Sequence, residues 1–252
     1  MRLILSSLVM IASSHCFAAE LTANEWKAPN GFQVIYRLAE PAKIEEGKTY
    51  PLVLFLHGAG ERGNDNVKQL KHGVKTLLEN AEKLNEPCYL IAPQCPAEEW
   101  WSPLDEGKTR LIAAAEPNLK TEALLALVAE FSKTHPVDAS RFYVTGLSMG
   151  GFGTFDILGR APEKIAAALP VCGGGDTKLV SRYKDVPLWV FHGDKDPTVP
   201  VSASVSMIEA LKAAGGDPKL TIYPGVKHDS WTQTYANPEA IRWLFSHRKK
   251  TP

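Results

Sequence analysis

The chain has 252 residues, 44% of them hydrophobic and 22% charged, and its 28 Lys plus Arg balance 28 Asp plus Glu. That is enough apolar material for one well-buried domain. The zero formal charge gives no electrostatic case for nucleic acid or an acidic membrane surface, and the basic run Arg248-Lys249-Lys250 reads as a solvated helix end.

Residues 1–18 combine the early charge of Arg2 with a short apolar run and the small residues Cys16 and Ala18. This is the layout of a secretory leader, too short to span a bilayer, so the expected division is a leader over 1–18 and a single domain over 19–252. No stable membrane insertion is expected after cleavage. Lipid attachment at Cys16 is disfavoured by the bulky His15 before it. Export permits disulfides, but the remaining Cys88, Cys95 and Cys172 are odd in number. Cys88 and Cys95 bracket an extended run that holds them apart, so three buried thiols are expected.

Residues 31–38 read as a strand, 40–48 as a turn and 50–56 as a core strand. The core strand ends in His57-Gly58-Ala59-Gly60-Glu61-Arg62-Gly63. A glycine-rich loop in that place lets backbone N–H groups approach a substrate carbonyl oxygen; Ala59 is the expected donor and Gly60 its alternative. His57 suits bracing this loop better than catalysis. Arg62 is a candidate partner for a substrate carboxylate or for a neighbouring acid such as Glu61.

Apolar positions at helical spacing mark residues 67–84, and 88–93 form a strand. The irregular stretch 94–117 leaves the carboxyl end of that strand and carries Trp100 and Trp101. Trp100 is a candidate aromatic wall for a substrate, with pinning of the loop as the competing role. Residues 119–131 read as a strongly apolar helix.

The apolar run 141–144 enters Gly146-Leu147-Ser148-Met149-Gly150 and then the helix-like stretch 151–159. A nucleophile at the apex of a sharp strand-to-helix turn needs small neighbours two residues to either side, which Gly146 and Gly150 supply. A serine hydroxyl also needs a base oriented by a carboxylate. Residues 186–191 form a strand that runs into a turn-rich loop carrying two acids, Asp194 and Asp196. Asp196 is preferred, because it sits deep in the loop before Pro197; Asp194 reads as a turn residue and Asp176 as a weaker rival. A further strand, 219–223, leads to His228, the candidate base, with Trp231 as a second candidate wall and a last helix over 238–247. The Met149 amide, next to the nucleophile, is the second expected oxyanion donor.

Alternating strands and helices imply an α/β fold with a mostly parallel sheet and helices on both faces, without room for a large lid. No His, Cys and acidic residues have zinc-like spacing, and no metal or cofactor is expected.

The glycine-rich loop after 50–56, Ala92-Pro93-Gln94-Cys95-Pro96, the elbow around Ser148 and His192-Gly193-Asp194-Lys195-Asp196 together resemble the compact esterase branch of the α/β-hydrolases. The chain is similar to phospholipase/carboxylesterase, dienelactone-hydrolase-like and polyhydroxybutyrate-depolymerase-like proteins, and to predicted peptidases related to prolyl oligopeptidase. The order Ser148, Asp196, His228 is that fold's triad order. The resemblance implies acyl transfer through Ser148 on a small-molecule or polymer-linked ester. It departs from the dienelactone hydrolases in having Ser rather than Cys as nucleophile, and from prolyl oligopeptidases in lacking a propeller. A small secreted peptidase and a catalytically silent binding protein are the alternative readings.

Overall fold

Uninterrupted apolar runs make the centre of the sheet. β3 (Tyr50–Leu56), β4 (Tyr89–Gln94), β6 (Ala167–Val171) and β7 (Trp189–Gly193) are buried at every position, as strands covered on both faces must be. They belong to an eight-stranded sheet in a computed structural model that describes residues 20–103 and 118–249. With β1 (Leu21–Lys27), β2 (Gln33–Ala39), β5 (Val137–Leu147) and β8 (Lys219–Tyr223), the spatial order is β1-β2-β4-β3-β5-β6-β7-β8. β1 and β2 run antiparallel, and the strands from β4 to β8 are parallel.

Side-chain alternation divides the core into two layers. Leu52, Leu54 and Leu56 face α2 (Leu119–Thr134), α3 (Met149–Arg160), α4 (Val180–Tyr183) and α5 (Ser202–Ala213). Val53 and Phe55 face α1 (Val74–Lys83), α6 (Trp231–Ala236) and α7 (Pro238–Ser246). Among the described residues no helix is long and apolar enough to cross a membrane. Cys88, Cys95 and Cys172 are free and buried.

Two elements differ from the sequence reading for physical reasons. The helix expected over 67–84 begins with a 3-10 turn, Lys68–Leu70, and becomes α-helical only at Val74, because Gly73 at φ 77 breaks the run. The edge strand β1 is absent from the sequence reading; it is mostly exposed and held by its ladder to β2 rather than by an apolar pattern. The leader expected over 1–18 and most of the loop before α2, on which the absence of a lid partly depends, lie outside the described residues.

Candidate active site

The elbow forms where β5 stops. Ser148 adopts φ 52 and ψ −116, a conformation that costs a non-glycine residue free energy and persists only where its surroundings impose it. Its N–H donates to Val171 O at 2.9 Å and its carbonyl accepts from Phe152 N, so the turn is clamped between β6 and α3. Gly146 and Gly150 lie so close that a β-carbon on either would collide with backbone of the other side of the turn or of β3.

The acid comes from the β7 loop. Asp196 Oδ1 accepts the N–H groups of Thr198 and Val199 at 2.8 and 2.9 Å, which fixes the carboxylate plane. Its Oδ2 lies 2.7 Å from His228 Nδ1, and His228 Nε2 lies 2.9 Å from Ser148 Oγ. The three side chains thus form one hydrogen-bonded line. The Asp196 side chain is fully buried, whereas that of His228 is 22% exposed, so the line runs from the interior to a solvent-reachable serine. Asp194 instead accepts from Gly225 N, and Asp176 caps the turn at Thr177 by accepting from Lys178 N.

His192 was not singled out by the sequence. Its buried ring sits between Val199 O and Ser204 Oγ at 2.9 and 2.7 Å, and 3.3 Å from Asp196 Oδ2. A histidine closing an otherwise apolar strand was the available signal. It ties the acid loop to α5, and burial lowers its pKa.

The loop after β3 is anchored rather than catalytic at His57. In the tautomer that satisfies both contacts, Nδ1–H donates to Gly58 O at 2.6 Å and Nε2 accepts from Cys95 N at 2.9 Å; Trp101 Nε1 donates to His57 O at 3.0 Å. The ring is 1% exposed, and burial holds its pKa at about 4 against an ordinary 6.5. Between those values the unfolded chain binds a proton that the native state refuses, so stability is intact above pH 6.5 and falls as pH drops toward 4. The expected loss from this group is about 2 kcal/mol by pH 5. Urea unfolding at pH 7.5 and 5 should report it, and a His57→Gln protein with an undiminished pH slope would contradict it.

Ala59 heads the 3-10 turn Ala59–Glu61 and Met149 heads α3; first residues of helices have N–H groups without an intrahelical acceptor. The two turns are in contact, since Gly150 packs on the carbonyls of Leu56 and His57. Glu61 is buried, which raises its pKa, and faces His72 Nε2 at 3.7 Å.

Of the three candidate substrate contacts, Trp231 is brought to the line: its ring stands edge-on to His228, with centroids 5.2 Å apart and planes at 89°. Arg62 donates to Ala59 O at 2.9 Å and to Glu99 O at 3.3 Å, with its guanidinium 4.7 Å from the Trp100 ring centroid. Arg62 and Trp100 are therefore brought to each other and to the Ala59 loop. Trp101 is the member of the tryptophan pair that pins the loop.

Cys172, at the end of β6 with φ 39, lies beneath this arrangement; burial pushes its thiol up to about 12.

The model of the dienelactone hydrolase family matches residues 105–242. Acyl-protein thioesterase 1 of Neurospora crassa is 26% identical over 204 residues, covering 71% of this chain and 80% of that protein. A bifunctional acetylxylan esterase/xylanase of Neocallimastix patriciarum is 29% identical over 176 residues, covering 69% of this chain and 23% of its own length. The crystal structure of a thermostable esterase superposes with a TM-score of 0.83 at 38% identity, over 90% of this chain and 63% of that one. Fold and family model agree: the chain is an esterase-type hydrolase and belongs to the dienelactone hydrolase family.

Proposed function

We propose that this protein is an exported serine hydrolase that cleaves carboxylic esters through Ser148, His228 and Asp196. One observation carries the reading: the continuous hydrogen-bonded line from buried Asp196 through His228 to Ser148 at the strained apex of the elbow. Neutral His228 takes the Ser148 proton as Oγ attacks the ester carbonyl, and Asp196 stabilises the imidazolium that forms. The Ala59 and Met149 amides hold the oxyanion; loss of one such donor typically costs about 3 kcal/mol in the barrier. The imidazolium then protonates the departing alcohol, and water repeats the attack on the acyl enzyme. These steps need no metal or cofactor. The catalytic domain occupies residues 19–252 behind a cleaved leader of 1–18, and Trp231 forms a wall beside the base.

The test is hydrolysis of p-nitrophenyl esters of graded acyl length and of methyl ferulate, with aminoacyl amides in parallel. Ester turnover that disappears with Ser148 supports the reading; turnover of amides alone would replace it with the peptidase. Arg62 is assigned to support of the oxyanion loop through Ala59 O rather than to a substrate carboxylate. Arg62→Ala is expected to lower kcat about 10-fold on neutral and carboxylate-bearing esters alike, the effect of about 1.4 kcal/mol on the barrier. A selective loss on the carboxylate esters would reverse that assignment.

A further inference from the structure

Hydrolysis by Ser148 leaves one group in its site without a task, the Cys172 thiol. Its Sγ, a carboxylate oxygen of Asp196 and a ring nitrogen of His228 all lie within 4.8 Å of one another. These three are the soft, borderline and hard donors that zinc sites combine. A second observation marks the same place. Ser230 is 0% exposed, and its Oγ meets the Cys172 thiol without an oxygen or nitrogen partner. A buried hydroxyl whose partner is a thiol is only weakly satisfied and can turn its lone pairs toward a cation.

We propose that Cys172, Asp196 and His228 form a site for a thiophilic divalent cation such as Zn2+, and that its occupation switches hydrolysis off. Tetrahedral zinc, with bonds of about 2.0–2.3 Å, sets its ligand atoms about 3.3–3.6 Å apart. The thiol therefore closes by no more than about 1.5 Å, and the 2.7 Å contact between His228 and Asp196 opens by less than about 1 Å. The cation enters from the His228 side, where the ring is 22% exposed. Binding exchanges the thiol proton, released to solvent, for a metal–sulfur bond, with no change of oxidation state. Water or Ser230 Oγ completes the coordination.

The consequence for hydrolysis follows from valence and rests on the Ser148 reading. A neutral imidazole has one available lone pair. Whichever ring nitrogen of His228 takes the metal, that pair is used, and Ser148 Oγ–H loses its base. Mg2+ and Ca2+, which require six or more oxygen ligands, find too few here and are expected to leave activity unchanged.

The experiment uses the full chain and two readouts. Co2+ is titrated into the parent and the Ser148→Ala protein, following the near-ultraviolet thiolate-to-cobalt absorption; hydrolysis by the parent is titrated with Zn2+ and recovered with EDTA. The proposal expects one Co2+ per chain, an absorption kept in Ser148→Ala, Cys88→Ser and Cys95→Ser, and its loss in Cys172→Ser. Half-inhibition by Zn2+ should need at least 10-fold more metal in Cys172→Ser. His228→Ala, altered at a partly exposed position, should weaken Co2+ binding at least 10-fold and serves should Cys172→Ser fail to fold. No thiolate absorption in the folded parent overturns the site, as does Zn2+ inhibition identical in parent and Cys172→Ser. If no ester is hydrolysed, the ester reading fails while the cobalt absorption still decides the site.

Discussion

Ser148→Ala is expected to lower kcat for p-nitrophenyl ester hydrolysis by about 10^5-fold, with KM little changed. The alanine removes the atom that His228 Nε2 meets at 2.9 Å, and with it the acyl-enzyme route proposed above, while neighbouring side chains such as Trp231 stay in place. What survives is the weak activation of water by the oxyanion amides. His228→Ala should fall about as far, and the double variant scarcely further, since the two side chains work as one unit. Asp196→Asn is expected to cost about 10^4-fold, because an amide that donates to Nδ1 imposes the tautomer with its proton on Nε2. Steady-state kinetics on all four proteins, with folding checked by circular dichroism, gives the answer. A Ser148→Ala protein with more than a tenth of parental activity would remove Ser148 as nucleophile.

Gly150→Ala should have the largest effect on stability. A β-carbon there would overlap the Leu56 carbonyl and lie 2.8 Å from His57 O, and both neighbours are backbone held in or beside the central strand. A flexible side chain would turn aside; a sheet carbonyl has to move with its ladder. Overpacking of this kind typically costs 1–3 kcal/mol where side chains give way, so with backbone on the far side a loss of about 4 kcal/mol or failure to fold is expected. Gly60, with nothing within 4 Å of its would-be β-carbon, is the control: Gly60→Ala should change stability by less than about 0.5 kcal/mol. Urea midpoints of the two proteins measure the contrast, and equal midpoints would contradict the close approach of α3 to β3.

Features written in neighbouring residues were legible in the chain. The elbow is one, because the need for space around Ser148 falls on positions two before and two after it. The buried strands are another, because cover on both faces demands unbroken apolar runs such as residues 52–56. Candidate acid and base followed from the rule that parallel strands aim their carboxyl-end loops at one place. The choice between Asp194 and Asp196 had weaker support, and it is geometry that places Asp196 on His228 and Asp194 on Gly225 N.

Other features depend on partners remote in the chain, which composition and spacing do not encode. β1 exists through hydrogen bonds to β2, and a ladder leaves no apolar signature on an exposed edge. Arg62 offered charge for a substrate, but the fold presents Ala59 O and Glu99 O to it first. No zinc-like spacing was visible, yet three turns of the chain bring Cys172, Asp196 and His228 within reach of one ion. Local sterics and hydrophobic burial act between neighbours or along one periodic face, and both are read directly from residue order. Hydrogen bonds, ligand sets and pocket walls are made between loops that meet only when the sheet assembles, so the tertiary structure alone decided them.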